Sequence, residues 1–122
     1  MRLNTHTSSD VNPDTLPPIF SLEHMQRGFC IDNCDSQGKA QFADALWKRS
    51  KMPWAQLRVA PRHGLGYEKI QNLNATLPNG IHEDVNIISF RCIGKAPMVG
   101  YRKDRVFYIL WIDLSFSVYD HS

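Results

Sequence analysis

From residue 86 onward, apolar and polar positions alternate in short runs separated by turn residues, the period of a β-strand. "NIISFRCI" sets Ile88, Phe90 and Cys92 on one face, with Ser89 and Arg91 on the other. "PMVGYR" alternates less cleanly, and "RVFYILWI" is apolar on both faces, as an interior strand should be. "SVYDH" follows, with Tyr119 and His121 on the same side. The breaks at "GKA", "KD" and "DLS" are short enough for hairpins. The pattern predicts an antiparallel meander of three or four strands.

Upstream the period lengthens. In "KAQFADALWKRS", Ala40, Ala43, Leu46 and Trp47 fall at helical spacing. Asp35 or Ser36 can cap the start, and Lys48 and Arg49 complement the dipole in the last turn. A second helical segment begins at Pro53 and runs through "PWAQLRVA" to Pro61. Trp47, Trp54 and Trp111 read as packing between helices and sheet. Further upstream, "IFSLEHM" reads as a short strand. The architecture predicted is α+β: an N-terminal strand and two helices packed on one face of a C-terminal antiparallel meander. Residues 1 to 18, polar and with three prolines, read as a flexible tail ordered only where it meets the body. Residues 19 to 122 form one domain.

The chain has 122 residues, 43% hydrophobic and 21% charged, which suits a single core. The formal charge is only +2, but its distribution is uneven. Between Lys51 and Leu110, nine Lys and Arg face four Asp and Glu, a local excess of nine minus four, or +5. On a shared face these residues attract anions. No stretch approaches the run of apolar residues that a membrane helix needs. The first 18 residues hold no apolar segment of the secretory kind. Cys30, Cys34 and Cys92 read as reduced thiols of a cytoplasmic protein. His24, Cys30 and Cys34 lack the spacing of a zinc site, so no metal and no cofactor are expected.

The densest chemistry is in "APRHGLGYEK", where Arg62, His63, Tyr67, Glu68 and Lys69 surround Gly64 and Gly66. The glycines fit neither phosphate-binding fingerprint and read as positive-φ positions of a turn. His63 is either a solvated loop histidine or a catalytic one. Arg91 is either a phosphate ligand or the partner of Glu83 or Asp84.

"APRHGLGYEKI", then "FRCIGKAPMVGYRKDRVFYILWID", then "VYDH", in the order strand, helices, meander, resembles the small toxins of the RelE/ParE superfamily. In particular the chain is similar to RelE-like endoribonucleases of type II toxin–antitoxin systems, over roughly residues 19 to 122. The resemblance implies cleavage of mRNA, free or on the ribosome, without metal, and neutralisation by a cognate antitoxin protein. Such cleavage needs a base for the 2′-hydroxyl, cations for the phosphate, and an acid for the leaving 5′-oxygen. On this expectation His63, Glu68, Arg91 and His121 are catalytic. Arg62, Tyr67, Lys69, Tyr101, Arg102 and Tyr119 bind substrate: the cations hold phosphate, and Tyr67 or Tyr101 stacks on a base. The alternative is a non-catalytic module of the same fold that docks a protein or inhibits gyrase.

Overall fold

The computed structural model describes residues 11 to 120. Its elements run β1 (Ile19–Ser21), α1 (Ser36–Arg49), α2 (Trp54–Val59), β2 (Tyr67–Lys69), β3 (Asn86–Ile93), β4 (Ala96–Lys103) and β5 (Val106–Ile112). Short 3-10 turns stand at Pro13–Thr15 and Ile31–Asn33. The fold is α+β, with one five-stranded sheet in the order β1-β5-β4-β3-β2.

β3, β4 and β5 form the antiparallel meander that the alternation predicts. The sheet as a whole is mixed, however, because β1 lies parallel to β5, with Ile19 beside Val106. β2 joins the other edge antiparallel to β3, with Glu68 opposite Ser89. Three residues between a glycine-rich loop and a polar one carry too few alternations to announce a strand, so β2 reads as loop in the sequence. The terminal "SVYDH" run is not a strand over the described residues but a single bridge from Tyr119 to Leu73. His121 lies outside the described residues.

Asp35 caps α1, its carboxylate accepting the Gly38 N–H at 2.7 Å. The buried face of α1 differs from the one the alanines suggest. Gly38, Phe42, Ala45 and Arg49 face the sheet, while Ala40 and Ala43 are exposed and Trp47 is 60% exposed. Phe42 is the bulky apolar side chain on that face. Gly38 and Ala45 are small enough to bring the helix close: a Cβ on Gly38 would lie 3.4 Å from the Cβ of Cys34. Trp47 instead lies on the surface under the ammonium of Lys51, 4.4 Å from the ring centre. Arg49 is buried as well as being a last-turn cation.

Both faces of the sheet are covered. On the helical face, Ile88, Phe90, Met98, Phe107 and Ile109 pack with Phe42, Trp54 and Leu57. On the other, Ile87, Val99, Leu110 and Trp111 pack with Val118, Tyr119 and the turn-rich segment 70–85. Trp54 and Trp111 are thus core, as read. Gly100 lets β4 and β5 close up at a bulge, since a Cβ there would lie 1.9 Å from the Tyr108 carbonyl oxygen.

Residues 11 to 18 meet the body. Leu16 accepts the Trp54 N–H at 3.1 Å, Pro17 accepts the Arg105 Nε–H at 3.0 Å, and Asp14 pairs with Arg102 and Arg58. The hydrogen bond from Arg102 is the main reason the Asp14 carboxyl is held below its usual range. The three cysteines are free thiols, and burial pushes Cys92 up to about 12. Among the described residues no helix is long and apolar enough to cross a membrane.

Candidate active site

The loop from α2 to β2 is tied down at both ends. Gly64 and Gly66 both donate their N–H to the Pro61 carbonyl at 2.9 Å. Neither has positive φ, so their role is not the turn conformation read from the sequence. Gly66 is needed for space: a Cβ there would lie 2.0 Å from the Ala60 carbonyl oxygen. Arg49 fastens the loop from beneath, donating to Leu65 and Gly64 carbonyls at 3.0 and 3.2 Å and to its own helix at Ala45. Burial lowers its pKa, yet all these donors meet carbonyl oxygens and the guanidinium rests 5.0 Å from the Phe90 ring centre. The buried cation therefore works as a bracket for the loop.

The bracket sets the two ends of "RHGLGYE" across from each other. Arg62 Nη1 pairs with Glu68 Oε2. β2 alternates, so Tyr67 and Glu68 lie on opposite faces of the sheet. The Tyr67 ring turns into the helical-face core, edge-on to Phe90 at 5.5 Å and to Trp54 at 5.9 Å. Glu68 turns to the far face, beside Ser89 and Arg91 of β3.

There the side chains line one cavity of about 260 Å³. Its walls are Arg62, Glu68, Ser89, Arg91, Lys95, Pro97, Phe116, Tyr119 and Asp120. Three cations stand there against two carboxylates. Arg91 sits where the β3–β4 register shifts, a bulge between Arg91 and Ile93 of the kind that re-aims side chains at sheet ends. The acids weighed as its partners lie elsewhere: Asp84 faces His82 at 3.4 Å, and Glu83 lines a separate depression.

Tyr119 closes the floor. Its hydroxyl lies 3.0 Å from the Ser89 hydroxyl, and both residues are buried. Burial is the main cause that pushes the phenol above its ordinary range. The Ser89 contact works against this, and the charge of Glu68 adds to it. The result is a phenol that keeps its proton at neutral pH. Asp113 holds the segment in place. Fully buried just past β5, its carboxylate accepts the Ser117 and Val118 N–H groups at 2.9 and 3.0 Å. Asn74 donates its N–H to the Val118 carbonyl at 2.7 Å from the neighbouring loop.

Of the residues singled out by sequence, Arg62, Glu68, Arg91 and Tyr119 come together. The other described ones stand apart. His63 lines a shallow depression on the helical side with Asp44, Lys48 and Arg49, which Arg91 also borders. Lys69 is exposed, opposite Ile88, on the face of β2 that Glu68 does not share. Tyr101 is buried and stacked on Tyr108 at 4.8 Å. Arg102 lies 4.3 Å over the Trp54 ring and pairs with Asp14. Its neighbours hold each of these last two away from the cavity.

Sequence reasoning passed over Ser89, Lys95, Phe116 and Asp120 in the walls and Asp113 behind them. Ser89 carried a signal, sharing a strand face with Arg91. Asp113 carried one too: an acid directly after an all-apolar strand is either buried with partners or ends the strand. His24, weighed with Cys30 and Cys34 as a metal set, lies against the Tyr108 ring at 5.4 Å. Among the described residues no three His, Cys, Asp or Glu are grouped to hold a metal ion. No protein-family model, no curated protein and no solved structure matches this chain.

Proposed function

We propose that this cavity cleaves RNA by attack of a ribose 2′-hydroxyl on the adjacent phosphodiester. The observation that carries the reading is the convergence of Arg62, Glu68, Arg91 and Tyr119 on one cavity, from a loop, two strands and the C-terminal segment. These are a carboxylate, two guanidiniums and a protonated phenol, the groups such a reaction asks for. The resemblance to RelE-like toxins supports the same chemistry.

Glu68 takes the proton of the 2′-hydroxyl as its oxygen bonds to phosphorus. Arg62, Arg91 and Lys95 stabilise the charge that gathers on the non-bridging oxygens; arginine does this with two parallel donors. The bond from phosphorus to the 5′-oxygen breaks, and Tyr119 supplies the proton the leaving oxygen needs. The products are a 2′,3′-cyclic phosphate and a 5′-hydroxyl. Proton exchange with water resets Glu68 and Tyr119. Arg62 holds Glu68 until a phosphate draws the guanidinium away, so substrate entry frees the base. No step requires a metal. A neutralising antitoxin would offer acidic side chains to the same cations.

The test uses purified chain in a chelator, with single-stranded RNA and with mRNA on ribosomes. Cleavage leaving 2′,3′-cyclic phosphate ends is expected in at least one of the two. The alkaline limb of the rate should begin above the ordinary tyrosine value of about 10, because Tyr119 donates only while protonated and its pKa is raised. Intact RNA in both reactions contradicts the reading. DNA damage on expression, with mRNA whole, would point instead to the gyrase-inhibiting alternative.

A further inference from the structure

Among the described residues Arg49 is a buried cation that no acid compensates. Only 2% of it is exposed, and charged side chains go that deep almost always with a counter-charge. Its three hydrogen bonds, at 3.0, 3.1 and 3.2 Å, all end on neutral carbonyls, those of Leu65, Ala45 and Gly64. The neighbouring Cys92 thiol, pushed up to about 12 by burial, brings no negative charge at neutral pH. The Phe90 ring offers a face and not an anion. A guanidinium carries five N–H groups, so these three bonds do not exhaust its donors. Arg49 also forms part of the wall of the depression on the helical side, about 350 Å³ in volume, with Gln41, Asp44, Lys48, His63 and Arg91. Three cations, Lys48, Arg49 and Arg91, stand there against one carboxylate, that of Asp44, which Lys48 engages at 2.9 Å. Arg91 borders this depression and the Glu68–Tyr119 cavity alike.

An anion seated in the depression supplies the missing counter-charge, and against a protein wall the attraction exceeds that in open water. Guanidinium, ammonium, imidazole and amide donors around one hollow suit an oxyanion with several acceptor atoms. We propose that the depression between α1 and the α2–β2 loop is a phosphate-binding site, with Arg49 as its buried charge and Lys48 and His63 as its outer donors. The phosphate is either a free one or the next phosphate of a strand whose neighbour lies across Arg91. The site stands whether or not the Glu68–Tyr119 cavity is a nuclease.

The test is a nuclear magnetic resonance titration of the labelled full chain with inorganic phosphate, the ionic strength held constant with chloride. Signals of the Arg49 Nε–H and of residues 48 and 63 to 65 should shift and saturate. Lys48→Ala should raise the dissociation constant about tenfold, because it removes a charged donor and turns the Asp44 carboxylate loose beside the anion. Asp44→Asn should lower it about threefold, the opposite sign, by removing the acid and freeing Lys48. Asp44 and Lys48 are both exposed on α1, so the fold survives either change. Shifts that grow without saturating, or that stay at the Glu68–Tyr119 cavity, overturn the proposal. So does a dissociation constant that Asp44→Asn leaves unchanged or raises. Adding an uncleavable single-stranded oligoribonucleotide separates the two sources. Displacement of phosphate from the Arg49 signal assigns the site to the strand, and simultaneous binding assigns it to free phosphate. A chain that binds phosphate here and leaves RNA whole keeps this site and loses the nuclease. One that cuts RNA with no phosphate shift at Arg49 does the reverse.

Discussion

Glu68→Gln lowers the single-turnover rate of RNA cleavage by about 10²- to 10⁴-fold while leaving affinity for an uncleavable analogue nearly unchanged. The amide keeps the shape of the side chain and still accepts a hydrogen bond from Arg62, but it cannot take the 2′-hydroxyl proton. The fold should survive, because Glu68 is a half-buried residue on an edge strand, and its ion pair with Arg62 is largely exposed. Partly exposed pairs of this kind contribute little to stability, about 0–1 kcal/mol. Rates measured at saturating enzyme separate the chemical step from binding. A rate within threefold of wild type removes Glu68 as the base. Equal losses in rate and in analogue affinity would assign it to binding alone.

Trp54→Ala reduces the free energy of unfolding by about 3–5 kcal/mol, the range for deleting a large buried aromatic. Trp54 is completely buried at the start of α2. Its ring meets Tyr67, Phe90 and Phe107 at 5.9, 6.1 and 6.5 Å, with Arg102 above it. Its indole N–H donates to the Arg105 carbonyl at 2.9 Å, so truncation also leaves a polar group without its donor. The same residue ties α2 to the N-terminal segment through its backbone N–H and Leu16. A domain with typical stability, about 5–15 kcal/mol, then becomes marginal. Urea unfolding followed by tryptophan fluorescence and far-UV circular dichroism measures the shift. A change below about 1 kcal/mol would mean that this cluster does not anchor the helices to the sheet.

The fold was legible wherever the chain carries long periodic runs. β3 shows its faces directly, because a period of two is hard to mistake over eight residues, and β5 shows itself as an interior strand by its unbroken apolar run. α1 was located correctly, but its buried face was not. Four apolar residues at helical spacing suggested one stripe, whereas Phe42 and the close approach permitted by Gly38 selected another. Arg49 is the clearest instance of what pattern cannot show. A cation in a last helical turn is ordinarily exposed, and only the carbonyls of the incoming loop make its burial tolerable. The parallel pairing of β1 depends on contacts nearly ninety positions away in sequence, which no local window contains.

The site was legible by residue type and obscured by side-chain direction. Arg62, Glu68, Arg91 and Tyr119 are visible as chemistry in the sequence. Tyr67 and Lys69 flank Glu68 so closely that the three look like one cluster, until β2 is recognised as a strand that sends neighbours to opposite faces. Tyr101 and Arg102 divide between the two faces of β4 in the same way. Phe116 and Asp113 escaped notice because an apolar ring and a lone acid after a strand resemble an ordinary turn. The left-handed backbone of Phe116, with φ at +56°, has no signature in a run of "DLSFS".

Whether a single RNA strand lies on the Glu68–Arg91–Tyr119 face is best settled by nuclear magnetic resonance titration of isotopically labelled chain with a single-stranded oligoribonucleotide made uncleavable by 2′-O-methylation. Amide and side-chain shifts should concentrate at residues 62, 68, 89, 91, 95, 116 and 119. Shifts confined to the opposite helical surface, around His63, Lys48 and Trp47, or none at all, would contradict the account.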